Sequence, residues 1–304
     1  MNHVFIVNPA AGKGNAVKEI SPNGMQVLEE RGDSFEIHRS LSKQEIYDYV
    51  HAKAAEGEPV RFYACGGDGT INDVLCGMIG FPNAELAVVP LGSGNDFVRN
   101  FTNKQNFLDP GAQFASRTMN IDVIRVGDTY SINMLNIGVD CDVVVAAKNA
   151  SGRIIKGSMA YLVGVAQVLP KAKGYKMRYE LDGKTYEEEL FLAAVANGMY
   201  CGGGFKSSPR SSLTDGLIDV SIIRPVQGAK LLQMLLKYHQ GTHLKDKEAD
   251  KYIKYFQCKK FTLEPVGDIN VSIDGEVSIF KRTEFEIMPG AVKLAVPLGC
   301  ELIQ

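Results

Sequence analysis

The sequence predicts an α/β domain with an open parallel sheet, followed by an antiparallel β-sandwich domain. Apolar, strand-like runs alternate with helix-like stretches through the first third of the chain, as in parallel α/β folds. Three of these runs end in glycine-rich loops, and short strands joined by tight turns follow from residue 119 onward. We therefore place the α/β domain at residues 1–118 and the sandwich at 119–288, and expect 289–304 to pack back on the first domain.

The composition is that of a globular protein and argues against nucleic-acid binding. The chain has 304 residues, of which 45% are hydrophobic and 22% charged, and this is long enough for two domains. A formal net charge of −2 provides no positive field for nucleic acid. No apolar run approaches the ~20 residues of a membrane span, and no basic leader precedes the first strand. We expect a cytoplasmic protein without a transmembrane segment, whose six cysteines are reduced and mostly buried.

Apolar periodicity predicts the elements of the first domain in order. Each expected strand is a short apolar run bounded by polar or glycine residues. Ser42 is a candidate N-cap for the second helix, and the Ser21–Gly24 stretch, which contains Pro22, breaks the first. Strands are expected at 4–7, 35–38, 60–65 and 86–90, and helices at 16–31, 43–55 and 71–79.

Alternating strands and glycine-aspartate turns predict the elements of the second domain. Turns at 127–128 and 182–183 each join two strands into a hairpin. The last apolar run, 292–296, is a candidate strand of the first domain. The other expected strands are 118–124, 130–136, 175–181, 184–196, 217–223, 259–264, 269–273 and 283–287, with helices at 154–169 and 227–238.

The glycine-rich loops at 8–15, 66–70 and 91–97 are candidate phosphate-binding loops. Parallel strands deliver such loops to one edge of a sheet, where backbone N–H groups at helix starts bind anions. Like charge disfavours direct contact between a phosphate and Asp68, which we expect to act through a divalent cation and its waters. The first loop lacks the Walker spacing, and each loop alone is equally an ordinary strand-to-helix turn. Asp96, in the third loop, is either a site carboxylate or a helix cap.

Two motifs of the second domain carry polar groups at turns. In the glycine-rich stretch 197–209 and just after it, Lys206 and Arg210 either face a phosphate or are solvated. Asp274 and Glu276 place two carboxylates in a turn after an alternating strand, which is otherwise a plain hairpin turn. A modest basic cluster either meets anionic lipid or is solvated surface charge: Lys171, Lys173, Lys176 and Arg178.

Taken in order, the motifs resemble those of the diacylglycerol kinase catalytic-domain family, in particular the soluble bacterial lipid kinases. The resemblance covers essentially the whole chain. Its specific part is the ordered set, because GGDG alone is shared with NAD kinases and phosphofructokinases. The matching motifs are NPAAGKG (8–14), GGDGTIND (66–73), PLGSGNDF (90–97), NIGVD (136–140), NGMYCGGGFKSSP (197–209), DGLIDV (215–220) and IDGE (273–276).

The resemblance implies an ATP site at the GGDGT edge and a cleft between the domains that admits a lipid head group. The family's general base falls on Asp274. The carboxylates that organise the catalytic Mg²⁺ through water fall on Asp68 and Asp96. The nucleotide-binding positions fall on Asn8, Pro9, Ala10, Ala11, Gly12, Ser40, Gly66, Gly67, Asp68, Gly69, Thr70, Ile71, Asn72 and Ser93.

The resemblance also implies a second, structural Mg²⁺, held by the Asp215 carboxylate and the main-chain carbonyls of Ser212 and Leu217. The expected reaction is ATP-dependent phosphorylation of diacylglycerol to phosphatidic acid by a protein that contacts the membrane surface transiently. The motifs indicate ATP and catalysis more than the acceptor. Alternatives are a kinase for phosphatidylglycerol or a sphingoid base, a soluble-substrate kinase of the NAD kinase type, and a non-catalytic nucleotide-binding regulator. Related enzymes include dimers, so a homodimer is one assembly that the resemblance allows.

Overall fold

The computed structural model describes residues 1–9, 32–40, 42–150, 163–164, 167–168, 173–181, 183–226, 228–267, 269–274 and 276–303. The strands are β1 (Asn2–Val7), β2 (Ser34–Arg39), β3 (Val60–Gly66), β4 (Ala84–Pro90), β5 (Arg117–Val126), β6 (Thr129–Ser131), β7 (Met134–Gly138), β8 (Tyr175–Leu181), β9 (Lys184–Leu190), β10 (Leu192–Ala196), β11 (Ile218–Ile223), β12 (Ile253–Cys258), β13 (Lys260–Pro265), β14 (Ile269–Ile273), β15 (Glu276–Phe280) and β16 (Thr283–Val296). The α-helices are α1 (Lys43–Ala55), α2 (Asp68–Met78), α3 (Pro110–Phe114), α4 (Val139–Ala150) and α5 (Gly228–Gln240). Short 3-10 helices span Phe97–Asn100, Lys104–Leu108, His243–Lys245 and Ala249–Lys251.

Two predicted helices, at 16–31 and 154–169, lie wholly or largely outside the described residues. Within the described ranges, no helix is long and apolar enough to cross a bilayer.

Unit 1, Met1–Asp122 with Gly290–Gln304, is built on a parallel sheet. Its strand order is β2-β1-β3-β4, and the end of β16 pairs with β4 in the parallel sense. The apolar run of β3 is buried along its whole length, as expected of a central parallel strand. The strand ends are in register, because Val7 lies opposite Cys65 of β3. The loops that follow the strands therefore leave from one edge of the sheet.

Helix α1 begins where the sequence predicts. Ser42 is its N-cap, and the Ser42 hydroxyl accepts the Glu45 N–H at 3.2 Å, which confirms the predicted cap. The buried face of α1 packs against α2 at a glycine. A Cβ on Gly77 would lie 2.8 Å from the Val50 Cβ, so the two helices approach more closely than a side chain there would allow.

Unit 2, Val123–Pro289, contains two antiparallel layers. One layer has the order β12-β11-β10-β7-β14-β15. In the other, the first half of β16 pairs with β13, β13 with β8, and β8 with β9. Apolar side chains from both layers meet in one core, which includes Leu135 and Val195 from the first layer and Phe261 and Phe285 from the second. Together with the parallel sheet of unit 1, these layers confirm the predicted fold class.

Two predicted strands are each divided in the structure. The segment 130–136 forms β6 and β7 with a break at 132–133, and 184–196 forms β9 and β10 with a break at Phe191. The Phe191 N–H donates to the Ile223 carbonyl (2.7 Å), where the chain passes from one layer to the other. The sequence also missed β12 and β15, and it placed the start of α2 three residues late. Tertiary pairing, which local periodicity does not carry, sets all of these features.

Acidification is expected to destabilise the protein through two buried histidines. The pKa of each, His3 and His243, falls from 6.5 to about 4, mainly through burial, and for His3 also through the nearby charge of Arg61. As the pH falls, the unfolded chain binds protons at these sites before the folded chain does. Stability should therefore fall between about pH 6.5 and pH 4, by on the order of 3 kcal/mol for each histidine, and no further from them below that range.

Urea unfolding followed by circular dichroism at about pH 7 and about pH 4.5 measures this loss. His243→Gln cannot titrate at this position, so the difference between the two pH values should shrink in that variant. An undiminished difference would show that His243 does not contribute.

Candidate functional site

The ends of four strands of unit 1, β1 to β4, lie together and carry the predicted phosphate loops and Ser40. After β1, Asn8 donates its N–H to the Cys65 carbonyl of β3 (3.2 Å). After β3 and β4, the Gly66 carbonyl accepts the Leu91 N–H (2.8 Å). Ser40, after β2, is tied to the end of β1 by its own N–H (3.1 Å). The loops expected to surround a nucleotide phosphate chain therefore start at neighbouring strand ends.

Helix α2 starts at this edge of the sheet. Gly67 is its N-cap, and the Ile71 N–H donates to the Gly67 carbonyl (3.1 Å). The N–H groups of residues 68–70 therefore precede the first intrahelical donor, Ile71, and point out of the helix start. A Cβ on Gly92 would overlap the Gly67 Cα, so a glycine is needed for the two loops to touch. A helix start of this kind binds anions.

The carboxylates of Asp68 and Asp96 both approach Gly94. Asp68 accepts the backbone N–H groups of Asp96 (3.2 Å) and Phe97 (3.0 Å), and so holds the loop after β4 in place. A Cβ on Gly94 would lie 3.2 Å from Asp68 Oδ2 and 3.4 Å from Asp96 Oδ2. Arg99 forms an ion pair with Asp96 Oδ1 (3.2 Å). Two neighbouring carboxylates supply the oxygen ligands that Mg²⁺ and its bound waters prefer.

The remaining predicted nucleotide positions differ in what their side chains do. Asn8 Nδ2 donates to Thr70 Oγ1 (3.4 Å), which links the first loop to α2. Ser40 is buried, and its hydroxyl donates to the Ser42 carbonyl (2.9 Å), so this side chain serves the entry to α1. Ser93 is exposed. Of the rest, Pro9 follows Asn8, Gly69 lies in the first turn of α2, Ile71 and Asn72 are buried in α2, and Ala10, Ala11 and Gly12 lie outside the described residues.

In unit 2, three backbone N–H groups hold the carboxylate of Asp274. The donors are Ile132 (3.0 Å), Asn133 (3.2 Å) and Met134 (2.9 Å). Asp274 is buried and has a φ of +45°, a left-handed conformation that L-residues other than glycine seldom adopt. Charge-assisted hydrogen bonds offset the cost of that conformation. The same bonds explain the break between β6 and β7, because the N–H groups there turn toward the carboxylate.

The predicted structural-metal residues lie in one turn of unit 2. The Leu217 N–H donates to Asp215 Oδ1 (3.1 Å), and the Thr214 N–H donates to Ser212 Oγ (3.4 Å). Asp215 is exposed, so its carboxylate is accessible to a cation. One carboxylate and two carbonyls match the ligand preference of Mg²⁺. Among the described residues, no group of three or more His, Cys, Asp or Glu is arranged for a metal ion.

Three of the basic residues considered from the sequence contact other side chains of unit 2, whereas Lys173 and Lys176 are exposed. Lys206 Nζ lies 5.8 Å from the centre of the Tyr200 ring, and the Arg210 guanidinium lies 5.0 Å from that of Tyr255. Arg178 pairs with two glutamates at 3.1 and 3.6 Å. Lys171 lies outside the described residues. These contacts weaken the case for a basic surface patch.

Unit 2 also contains an apolar cavity that the sequence analysis missed. It lies beside α4 and α5 and is partly open to solvent. Asp140 and Tyr238 are the polar residues of its lining. Several elements contribute the lining, so no local pattern reveals it. Its apolar side chains include Val143, Phe191, Leu192, Ile223, Val226 and Met234.

Two known protein families match successive parts of the chain. Residues 2–126 match the diacylglycerol kinase catalytic domain, and residues 133–296 match the YegS C-terminal NAD kinase beta sandwich-like domain. These two matches define a kinase. The second match alone spans more than half of the chain, and the chain belongs to the family of lipid kinases that combines these two domains.

Individual relatives align along most of the chain. A diacylglycerol kinase of Bacillus subtilis is 26% identical over 96% of this chain and 95% of its own. A protein of Chromohalobacter salexigens named "Probable lipid kinase YegS-like" is 26% identical over 83% of this chain and 80% of its own. A solved diacylglycerol kinase structure from Bacillus anthracis str. Sterne is similar with a TM-score of 0.71 and 19% identity, covering 98% and 97% of the two chains, and this likeness shows the fold alone. The family makes the chain a lipid kinase with ATP as co-substrate.

Asp68→Asn is expected to lower turnover while the protein stays folded. The amide oxygen can still accept the Phe97 N–H, but the negative charge beside Gly94 is lost. We expect kcat to fall by about 10²-fold or more and the half-saturating Mg²⁺ concentration to rise. Steady-state kinetics at increasing Mg²⁺ concentrations measures both effects.

Asp73→Asn is the matched control, because Asp73 lies on the same helix and pairs with Lys43 at 3.5 Å. Its Mg²⁺ response should stay close to that of the wild type. The same response in the Asp68 and Asp73 variants would remove Asp68 from the cation site.

Proposed function

We propose that this lipid kinase transfers the γ-phosphoryl group of ATP to the free hydroxyl of diacylglycerol and forms phosphatidic acid. On the donor side, the start of α2 and its neighbouring loops support binding of a phosphate chain by backbone N–H groups. Glycines at the contact between two of these loops keep side chains out of the way. The proposed nucleotide contacts are residues 8–12, Ser40, 66–72 and Ser93.

Asp68 and Asp96 are the proposed residues for a catalytic Mg²⁺, bound through water molecules. Support comes from the approach of both carboxylates to the same glycine, Gly94. When bound, Mg²⁺ neutralises charge on the transferred phosphoryl group and on the leaving group. The two N–H bonds that Asp68 accepts keep its carboxylate in place. For the second, structural Mg²⁺ we propose the Asp215 turn, whose geometry orients the carboxylate.

Asp274 is the proposed general base. As the lipid hydroxyl oxygen forms a bond to the γ-phosphorus, the bond from that phosphorus to the β–γ bridging oxygen breaks and ADP leaves. The hydroxyl proton moves to the Asp274 carboxylate. With three N–H donors on its oxygens, the carboxylate acts as an acceptor and cannot rotate freely. Such fixed positioning is what an in-line transfer requires of the protein.

The apolar cavity of unit 2 is the observation that carries the choice of a long-chain acceptor. An acyl chain would gain roughly 25 cal/mol for each Å² of apolar surface that it buries there. A soluble acceptor such as NAD has no use for that surface. Diacylglycerol is proposed over other lipid alcohols because a relative named diacylglycerol kinase aligns along 96% of this chain. A kinase for phosphatidylglycerol or a sphingoid base is the alternative that the following experiment separates.

Labelled ATP and Mg²⁺, offered with several acceptors in parallel, should label diacylglycerol. The acceptors are detergent-dispersed diacylglycerol, phosphatidylglycerol and sphingosine, together with NAD in solution. Labelling of phosphatidylglycerol or sphingosine in place of diacylglycerol would correct the substrate, and labelling of NAD alone would exclude a lipid acceptor. No labelling of any acceptor would favour a nucleotide-binding regulator.

Asp274→Asn should lower kcat by about 10²- to 10⁴-fold, the usual worth of general-base catalysis, and leave ATP binding nearly intact. Steady-state kinetics and calorimetric titration with an ATP analogue measure the two quantities. Glu276→Gln is the control, since Glu276 is an exposed carboxylate of the same turn. Near wild-type turnover in Asp274→Asn would exclude Asp274 as the base.

A further inference from the structure

Asn197 begins the glycine-rich stretch 197–209 and contacts the segment that holds Asp274. Its Nδ2 donates to the Ile132 carbonyl (2.8 Å). Its backbone N–H and that of Gly198 both donate to the Asn133 carbonyl (2.9 and 2.8 Å). Asn197 has a relative exposure of 0%, so bulk water does not compete for these bonds.

The two acceptor carbonyls belong to the peptide groups that bind Asp274. The Ile132 carbonyl shares a planar peptide group with the Asn133 N–H, and the Asn133 carbonyl shares one with the Met134 N–H. Both N–H groups donate to Asp274 Oδ1 (3.2 and 2.9 Å). In a trans peptide the carbonyl and the N–H point in opposite directions, so a bond that fixes the carbonyl also aims the N–H. Hydrogen bonds on both sides of a peptide group also strengthen one another.

We propose that Asn197 is a positioning residue that aims two backbone N–H groups at the carboxylate of Asp274. The inference rests on the general-base role proposed above for Asp274. A further hydrogen bond joins the two segments, because Asn133 Nδ2 donates to the Tyr200 carbonyl of the glycine-rich stretch (2.8 Å). The stretch thus acts on the reaction through Asp274, and its Lys206 side chain is not needed for that action.

A double-mutant cycle separates positioning from a purely structural role. Asn197→Ala removes the Nδ2 bond and keeps both backbone N–H donors, so kcat should fall on the order of 10- to 100-fold with the KM for ATP unchanged. In an Asp274→Asn background, the same change should lower kcat by less than about twofold, because the group that Asn197 positions is gone. Equal losses in the two backgrounds would overturn the proposal.

Two further variants make the cycle interpretable. Asn197→Asp has the same shape but turns an oxygen toward the Ile132 carbonyl; it should lose at least as much turnover, and it replaces the alanine variant if that one does not fold. Asn83→Ala is the matched control, since Asn83 Nδ2 donates to the Ala54 and Glu58 carbonyls in unit 1 (3.0 and 2.9 Å). It should lower Tm and leave kcat unchanged. A comparable fall in kcat for Asn83→Ala would show that lost stability explains the Asn197 result.

Amide proton resonances test the contact without any turnover. With neither ATP nor lipid present, Asn197→Ala should move the Asn133 amide proton to higher field, because the lost Nδ2 bond no longer aims that N–H at the carboxylate. Asp274→Asn should move the Asn133 and Met134 amide protons to higher field, because it removes the charge that both N–H groups contact. An unmoved Asn133 resonance in Asn197→Ala would overturn the proposal. If the wild-type protein phosphorylates no lipid but the variants show these shifts, the proposed function is overturned and the contact is supported.

Discussion

Three hydrogen bonds from backbone N–H groups to Asp274 organise unit 2. One donor, Met134, is the first residue of β7, and β14 runs directly into Asp274. β7 lies between β10 and β14 in its layer, so the strand that anchors the carboxylate is itself paired on both edges. The break after β6 and the left-handed backbone of Asp274 both follow from making these bonds. A buried carboxylate held in this way keeps its position without help from a bound substrate.

In unit 1, backbone N–H groups likewise hold an aspartate carboxylate. Asp68 accepts two backbone N–H groups from the loop after β4, which brings the Asp96 carboxylate beside it. Glycines at the points of contact let the loops meet without intervening side chains. Phosphoryl transfer needs positioning and charge neutralisation more than covalent chemistry from the protein. Asp68 in unit 1 and Asp274 in unit 2, each held by backbone N–H donors, are suited to such positioning.

The sequence was sufficient where local pattern decides the structure, and insufficient where distant partners decide it. Apolar runs and their loops predicted the parallel sheet, and Ser42 predicted the start of α1. Sequence reasoning also singled out Asp68 and Asp274, but it did not predict what holds them, because the donors are backbone groups far away in the chain that carry no side-chain signature. The apolar cavity escaped for a similar reason, since its lining comes from several elements. At Ser40 the sequence indicated a nucleotide contact but not the local hydrogen bond that the hydroxyl donates to the Ser42 carbonyl.

The central claim is that the carboxylate of Asp274 accepts the proton of the lipid hydroxyl during phosphoryl transfer. A rapid-quench measurement of a single turnover, from labelled ATP to diacylglycerol, observes that step directly. We expect the phosphoryl-transfer rate of Asp274→Asn to lie about 10²- to 10⁴-fold below that of the wild type, with ATP binding nearly unchanged. Equal single-turnover rates in the two proteins would contradict a role for Asp274 as the proton acceptor.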